Sequence, residues 1–186
     1  TKTELWNGTS WTEVNDLANK KREAAACGIS TAGLVFGGEL PSPFSAENES
    51  WNGSSWTELA DLNTARQRPG GAGLQTAALC FGGDKDPATT YSDDTESWNG
   101  SSWTEVGDLN TARKELAGAG ASNTSALAFS GGPNGPTQTE SWNGSSWTEL
   151  NDMNTGQTMA AGAGTQTLAL VFGGGFGSAH NTEEFS

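Results

Sequence analysis

Few side chains in this sequence can do chemistry. One histidine, His180, lies in a Gly/Ser/Asn loop near the C-terminus, and Tyr91 is the only tyrosine. The two cysteines, Cys27 and Cys80, have neither the spacing nor the histidine partners of a zinc site. They read as small buried fillers in different repeats rather than as a disulfide. With one histidine, no Ser-His or Cys-His nucleophile arrangement is apparent. Carboxylates are plentiful: Glu13, Glu58, Glu105 and Glu149 recur at one place, and Asp16, Asp61, Asp108 and Asp152 at another. Paired carboxylates run glycoside hydrolysis, but a pair present in every copy reads as structural. It would cap a turn or pair with the basic residue that follows, Lys21, Arg66 or Arg113, replaced by Gln157 in the fourth copy. The segments Asp84-Lys85-Asp86 and Ser92-Asp93-Asp94 offer oxygens to a calcium ion but lack the spaced ligands and bidentate Glu of a calcium loop. No metal and no cofactor is expected, and the chain reads as a non-enzyme.

What positions these residues is a repeat. Trp-Asn-Gly-Ser-Ser-Trp-Thr-Glu occupies 51–58, 98–105 and 142–149, and a copy with Thr9 in place of the first Ser occupies 6–13. The four copies hold all 8 tryptophans. Their first tryptophans, Trp6, Trp51, Trp98 and Trp142, are spaced by 45, 47 and 44 residues, a period that belongs to propeller blades or paired-helix arrays. The content decides between them. Asn-Gly between two short runs is a strong hairpin signal, and an even loop length sends both tryptophans to one face. Next come Asp-Leu-Asn-Thr-Ala-Arg or a variant, then a run of small residues (24–28, 70–73, 117–120, 160–164), then an apolar strand ending in glycines (34–38, 79–83, 127–132, 170–174). From the second Trp to the Phe before the glycines is 25 residues in copies one, two and four and 26 in copy three, which places a one-residue insertion near 121–123. No apolar run follows a helical period, and Gly, Ser, Thr and Asn oppose helices. The expected fold is all-β, four short antiparallel strands per unit, in one domain over 1–186. The repeats run approximately over 3–47, 48–94, 95–138 and 139–181, with a fifth partial strand at 182–186.

A hydrophobic strand ending in Gly-Gly, an aromatic (Trp51), a second Trp (Trp56) and an Asn-Thr-Ala-Arg stretch resemble a kelch-type β-propeller repeat. The first aromatic is Trp rather than the usual Tyr, and the turn between the two aromatics is shorter. The Trp-rich array also resembles those of virion and tail-fibre-like proteins of marine bacteriophages. The kelch resemblance implies blades with the small-residue strand innermost, the Gly-Gly strand second, Thr-Glu-Ser-Trp third and Ser-Trp-Thr-Glu-Leu outermost. The four copies themselves give four blades, closed by N- and C-terminal strands sharing one blade, whereas kelch-like propellers usually have six or seven. The alternatives are a piece of a longer array, or two chains completing an eight-blade ring. Copper-radical oxidases share a kelch-like propeller but need two Tyr, two His and a crosslinked Cys. With Tyr91 and His180 alone, that activity is excluded for this chain.

A net charge of −13 and a pI near 4.2 disfavour nucleic acid, which requires a basic face. No apolar run approaches the length of about 18 residues that spans a bilayer, so no membrane insertion is expected. No signal peptide is visible, and the location is left open between virion-associated and extracellular. The loops after Gly-Gly differ between copies (39–48, 84–94, 133–138, 175–181), whereas the Asn-Gly-Ser-Ser turns barely change. Variable loops on a rigid scaffold are where recognition is placed. Asp84, Asp86, Tyr91 and Asp93 on these loops, with Arg66 and Arg113 rimming the same face, are the expected binding residues. The expected function is a non-enzymatic binding module for a surface glycan or protein, as monomer or homodimer. The alternatives are a structural or assembly domain and, last, a glycan-active hydrolase.

Overall fold

The computed structural model describes residues 2–40, 44–85, 91–133, 137–175 and 181–186. Every regular element among them is a β-strand. The chain opens with a hairpin of β1 (Thr3–Trp6) and β2 (Trp11–Val14), which forms a two-stranded sheet of its own. Blade one holds β3 (Ala25–Ile29), β4 (Ala32–Phe36), β5 (Asn48–Trp51) and β6 (Trp56–Glu58). Blade two holds β7 (Gly70–Leu74), β8 (Ala77–Phe81), β9 (Thr95–Trp98) and β10 (Trp103–Glu105). Blade three holds β11 (Ala117–Ser122), β12 (Ser125–Phe129), β13 (Thr139–Trp142) and β14 (Trp147–Glu149). Blade four has three strands, β15 (Ala161–Gly164), β16 (Ala169–Phe172) and β17 (Thr182–Phe185). All pairing is antiparallel and sequential. The chain is a four-blade β-propeller with an extra hairpin, and its innermost strands β3, β7, β11 and β15 line one axial channel.

Local chemistry accounts for the outer hairpins. Asn52 Oδ1 accepts the N–H groups of Ser54 and Ser55, both at 2.9 Å, an Asx turn that closes the loop without help from the rest of the fold. Asn99 and Asn143 do the same. Trp51 then sits directly opposite Trp56, on the same face, with ring centroids 5.3 Å apart. The axis explains the small residues. A Cβ on Gly118 would run into the Gly71 carbonyl of the preceding blade, and one on Gly162 into the Gly118 carbonyl. Blades therefore approach backbone to backbone only because these positions carry no side chain. Copy three's extra residue appears as a register break between Gly120 and Ser122. Cys27 and Cys80 are free thiols on an inner and a second strand.

The expected closure does not form. β17 pairs with β16 through Phe172↔Thr182 to Ala169↔Phe185, and hairpin β1–β2 stays a separate sheet. Chain connectivity gives the reason. Nine residues (173–181) separate β16 from β17, whereas more than 160 separate β1 from β16. That difference in loop-closure entropy is worth about 2.5 kcal/mol in favour of the local strand. The inner strands pack in succession, β3 on β7, β7 on β11 and β11 on β15, and no comparable packing returns from β15 to β3 among the described residues.

Candidate functional site

The segments leading from each outermost strand to the next inner strand share one face with the loops after Gly-Gly. Short bridges knit them together: Arg22 with Glu39, Gln67 with Asp84, Asp84 with Tyr91, and Lys114 with Gly132. Eight of the 9 basic residues, all but Lys2, lie in these segments. The Asn-Gly-Ser-Ser turns on the opposite face carry no charge. One face of the disc is thus ionic and the other is amide and hydroxyl.

At the mouth of the axial channel on the ionic face, the four copies present Glu23, Arg68, Glu115 and Met159. All four are left-handed, with φ of 56°, 54°, 58° and 55°, a conformation that non-glycine residues avoid. A chain of backbone bonds holds them there. Arg68 N–H donates to the Glu23 carbonyl at 2.9 Å, Glu115 N–H to Arg68 at 2.9 Å, and Met159 N–H to Glu115 at 3.2 Å. Each residue costs of order 1 kcal/mol or more in strain, and the surrounding blades impose it. Their side chains border a cavity of about 330 Å³ floored by Ala24, Leu116 and Ala160.

Arg68 organises the charges. It bonds Glu23 through both nitrogens of its fork, Nε to Oε2 at 2.8 Å and Nη2 to Oε1 at 3.1 Å. Its Nη1 lies 3.5 Å from Glu115 and 3.7 Å from Asp84. The hydrogen bond to Glu23 is the main reason its pKa is raised. Asp84 Oδ2 also takes a hydrogen bond from Gln67 at 3.2 Å and meets Lys114 Nζ at 3.4 Å. Lys114 stands 5.0 Å over the Tyr91 ring. Asp84 Oδ1 is buried and has no hydrogen-bond partner among the described residues. At the edge, Arg22 donates to Glu39 at 2.9 Å, and that bond lowers the Glu39 pKa and raises that of Arg22. Four carboxylates (Glu23, Glu39, Asp84, Glu115) against three cations (Arg22, Arg68, Lys114) leave one net negative charge.

Of the residues expected from the sequence, Asp84 and Tyr91 reach this cluster. Asp93 is exposed on the same loop and receives the Leu109 N–H on its carbonyl. Asp86 and His180 lie outside the described residues. Arg66 and Arg113 do not rim the face. Both are buried between blades, where a long cation has no solvent to point into. Arg66 Nη1 donates to the carbonyls of Gly82 (3.2 Å) and Asp94 (3.0 Å), and Nη2 to Glu96 (2.8 Å). Arg113 repeats this with Ser130, Gln138 and Glu140 at 2.9, 3.1 and 2.7 Å. Burial pushes the Arg113 pKa down, against the pull of Glu140.

The expected ion-pair partners also change. The basic residue meets the glutamate of the next third strand: Lys21 with Glu49, Arg66 with Glu96, Arg113 with Glu140. Glu13, Glu58, Glu105 and Glu149 are not those partners. Two of the aspartates bond a strand start 13 residues back rather than a turn of their own: Asp16 Oδ1 accepts the Thr3 N–H at 2.9 Å and Asp108 Oδ1 the Thr95 N–H at 3.3 Å. Glu23, Arg68, Glu115 and Met159 were not among the residues expected from the sequence. The available signal was that this position, next to the small-residue run, holds a charged residue in three of the four copies.

This geometry is that of a β-propeller whose ionic face carries a cavity at the axis. No family model matches the chain, and no curated protein matches it. Its fold is similar to a solved structure described as "Structure of YjhT", with a TM-score of 0.76 at 10% identity, over 94% of this chain and 68% of that one. At that identity the likeness concerns the fold alone.

Proposed function

We infer that the chain is a non-enzymatic binding module of kelch-like type that recognises a surface glycan or protein through its ionic face. The observation that carries this reading is the ring of four left-handed non-glycine residues. Strain of this kind gathers at ligand clamps, and here it brings one side chain from each copy to one cavity. Arg68, Glu23 and Glu115 form a preorganised set of donors and acceptors suited to the hydroxyls of a sugar or to the polar groups of a peptide. Preorganisation lowers the entropy cost of binding. The Trp-rich repeat pattern, read with the overall acidity, favours a phage tail-fibre or surface-adhesin setting over nucleic-acid or membrane partners.

The test is a panel of immobilised surface polysaccharides and surface proteins, probed with the wild-type chain, with Arg68→Ala and with a turn-face control, Ser101→Lys. Binding that Arg68→Ala reduces at least tenfold and Ser101→Lys leaves unchanged supports the reading. Equal effects of the two variants, or no bound partner across the panel, would refute it.

A further inference from the structure

Glu115 is the unsatisfied member of the cluster at the axial cavity. Glu23 takes two hydrogen bonds from the fork of Arg68. The Glu115 side chain is only 9% exposed, yet its nearest cation, Arg68 Nη1, stands 3.5 Å away. Among the described residues its carboxylate accepts no hydrogen bond. A carboxylate withdrawn from water without donors is costly, and a buried polar group left in that state calls for a physical reason.

The cavity supplies one. In copy order the four left-handed residues run acid, base, acid, neutral: Glu23, Arg68, Glu115, Met159. Arg68 bridges the two carboxylates from one side. Around the axis the fourth copy comes between the third and the first, so Met159 holds the place from which a second cation would bridge them. Two carboxylates against one guanidinium leave one uncompensated negative charge at the cavity rim. The lining below is apolar, with Ala24, Pro69, Leu116 and Ala160 beside the Met159 thioether. No aromatic ring among the described residues borders it.

We propose, resting on the reading of the ionic face as a recognition surface, that this cavity takes one basic side chain, an arginine or a lysine, of a protein partner. The charged head lies between Glu115 and Glu23 and completes the alternation of charge around the axis. The alkyl stem lies on Met159, Leu116 and Ala160, as the stems of long cationic side chains do on apolar surface. An anion is turned away by the two carboxylates, because the Arg68 fork is already committed to Glu23. A neutral sugar brings no charge to Glu115, and an amino sugar brings charge without a stem. The net charge of −13 draws a basic partner in from a distance.

The probes are Nα-acetyl-arginine amide, its citrulline counterpart, which keeps the shape and loses the charge, and glucosamine. Each is titrated into the isotope-labelled chain and followed by NMR at the backbone amides of Arg68, Glu115 and Met159. The arginine amide is expected to shift all three saturably, and the citrulline amide to bind at least tenfold more weakly. Met159→Arg supplies the second cation from the chain itself and is expected to weaken arginine binding at least tenfold, whereas Met159→Leu retains it. Glu115→Gln is expected to weaken it at least tenfold, and Glu105→Gln, which removes an exposed carboxylate from an outermost strand, to leave it unchanged. No saturable shift, equal binding of the arginine and citrulline amides, or equal effects of Glu115→Gln and Glu105→Gln would overturn the proposal. Tighter binding of glucosamine than of the arginine amide would also overturn it and assign the cavity to an amino sugar. The wider reading fails separately: a panel partner lost in Arg68→Ala but indifferent to Met159→Arg keeps the ionic face as the recognition surface and removes the basic side chain from it.

Discussion

Glu96→Gln is expected to destabilise the protein by about 4–6 kcal/mol, a large share of the roughly 5–15 kcal/mol typical of a whole domain. Glu96 accepts from Asn63 N–H at 2.7 Å, Asn63 Nδ2 at 2.9 Å, Thr64 N–H at 3.2 Å and Arg66 Nη2 at 2.8 Å. Both ionic side chains are fully buried. Removing one charge of a buried pair costs about 3–5 kcal/mol, because the other stays desolvated and uncompensated. The amide also turns an NH₂ toward donors, losing at least one bond to a charged acceptor worth about 1.5–3 kcal/mol. Blade four supplies the control. Glu183 accepts the equivalent bonds from Asn154 and Thr155, but the neutral Gln157 stands where the arginine would be and Glu183 is only half-buried. Glu183→Gln is expected to cost less than about 1 kcal/mol. Equilibrium urea unfolding followed by tryptophan fluorescence measures both, with amide exchange at Asn63 and Thr64 locating the effect. A Glu96→Gln cost within about 1 kcal/mol of Glu183→Gln would refute the claim that the buried arginine makes this glutamate indispensable.

Met159→Gly is expected to raise stability by about 1 kcal/mol, because glycine relieves a left-handed backbone and Met159 is largely exposed; a lowered urea midpoint would contradict this. Gly118→Ala is expected to cost about 1–3 kcal/mol or more, since its Cβ meets a backbone carbonyl that cannot swing aside; thermal unfolding reads the loss. Burial pushes the Cys80 and Cys27 thiols up to about 12. Their folded pKa lies above the ordinary thiol value, so their contribution is complete below that value and is lost as pH rises toward 12. The wild type is thus expected to lose more stability between pH 8 and 10.5 than Cys27→Ala/Cys80→Ala, and parallel profiles would count against it.

The amino-acid sequence by itself determined the blade. Asn52 closes its turn with its own side chain, Trp51 and Trp56 share a face because strands alternate, and the small-residue runs mark the axis. All of these depend on neighbours within a few residues or on one repeat's own periodicity. The extra residue of copy three was legible for the same reason. What only the tertiary structure decided lies between blades. The sequence offered Arg66 several acidic partners, and the one it hydrogen-bonds, Glu96, is 30 residues away on the next blade. The left-handed set of Glu23, Arg68, Glu115 and Met159 is tied together by the N–H groups of Arg68, Glu115 and Met159, each reaching the carbonyl of the equivalent residue in the copy before it. The choice of β17 over β1 on the edge of β16 was likewise invisible, since both strands carry the same Thr-Glu pattern and only chain connectivity and packing separate them.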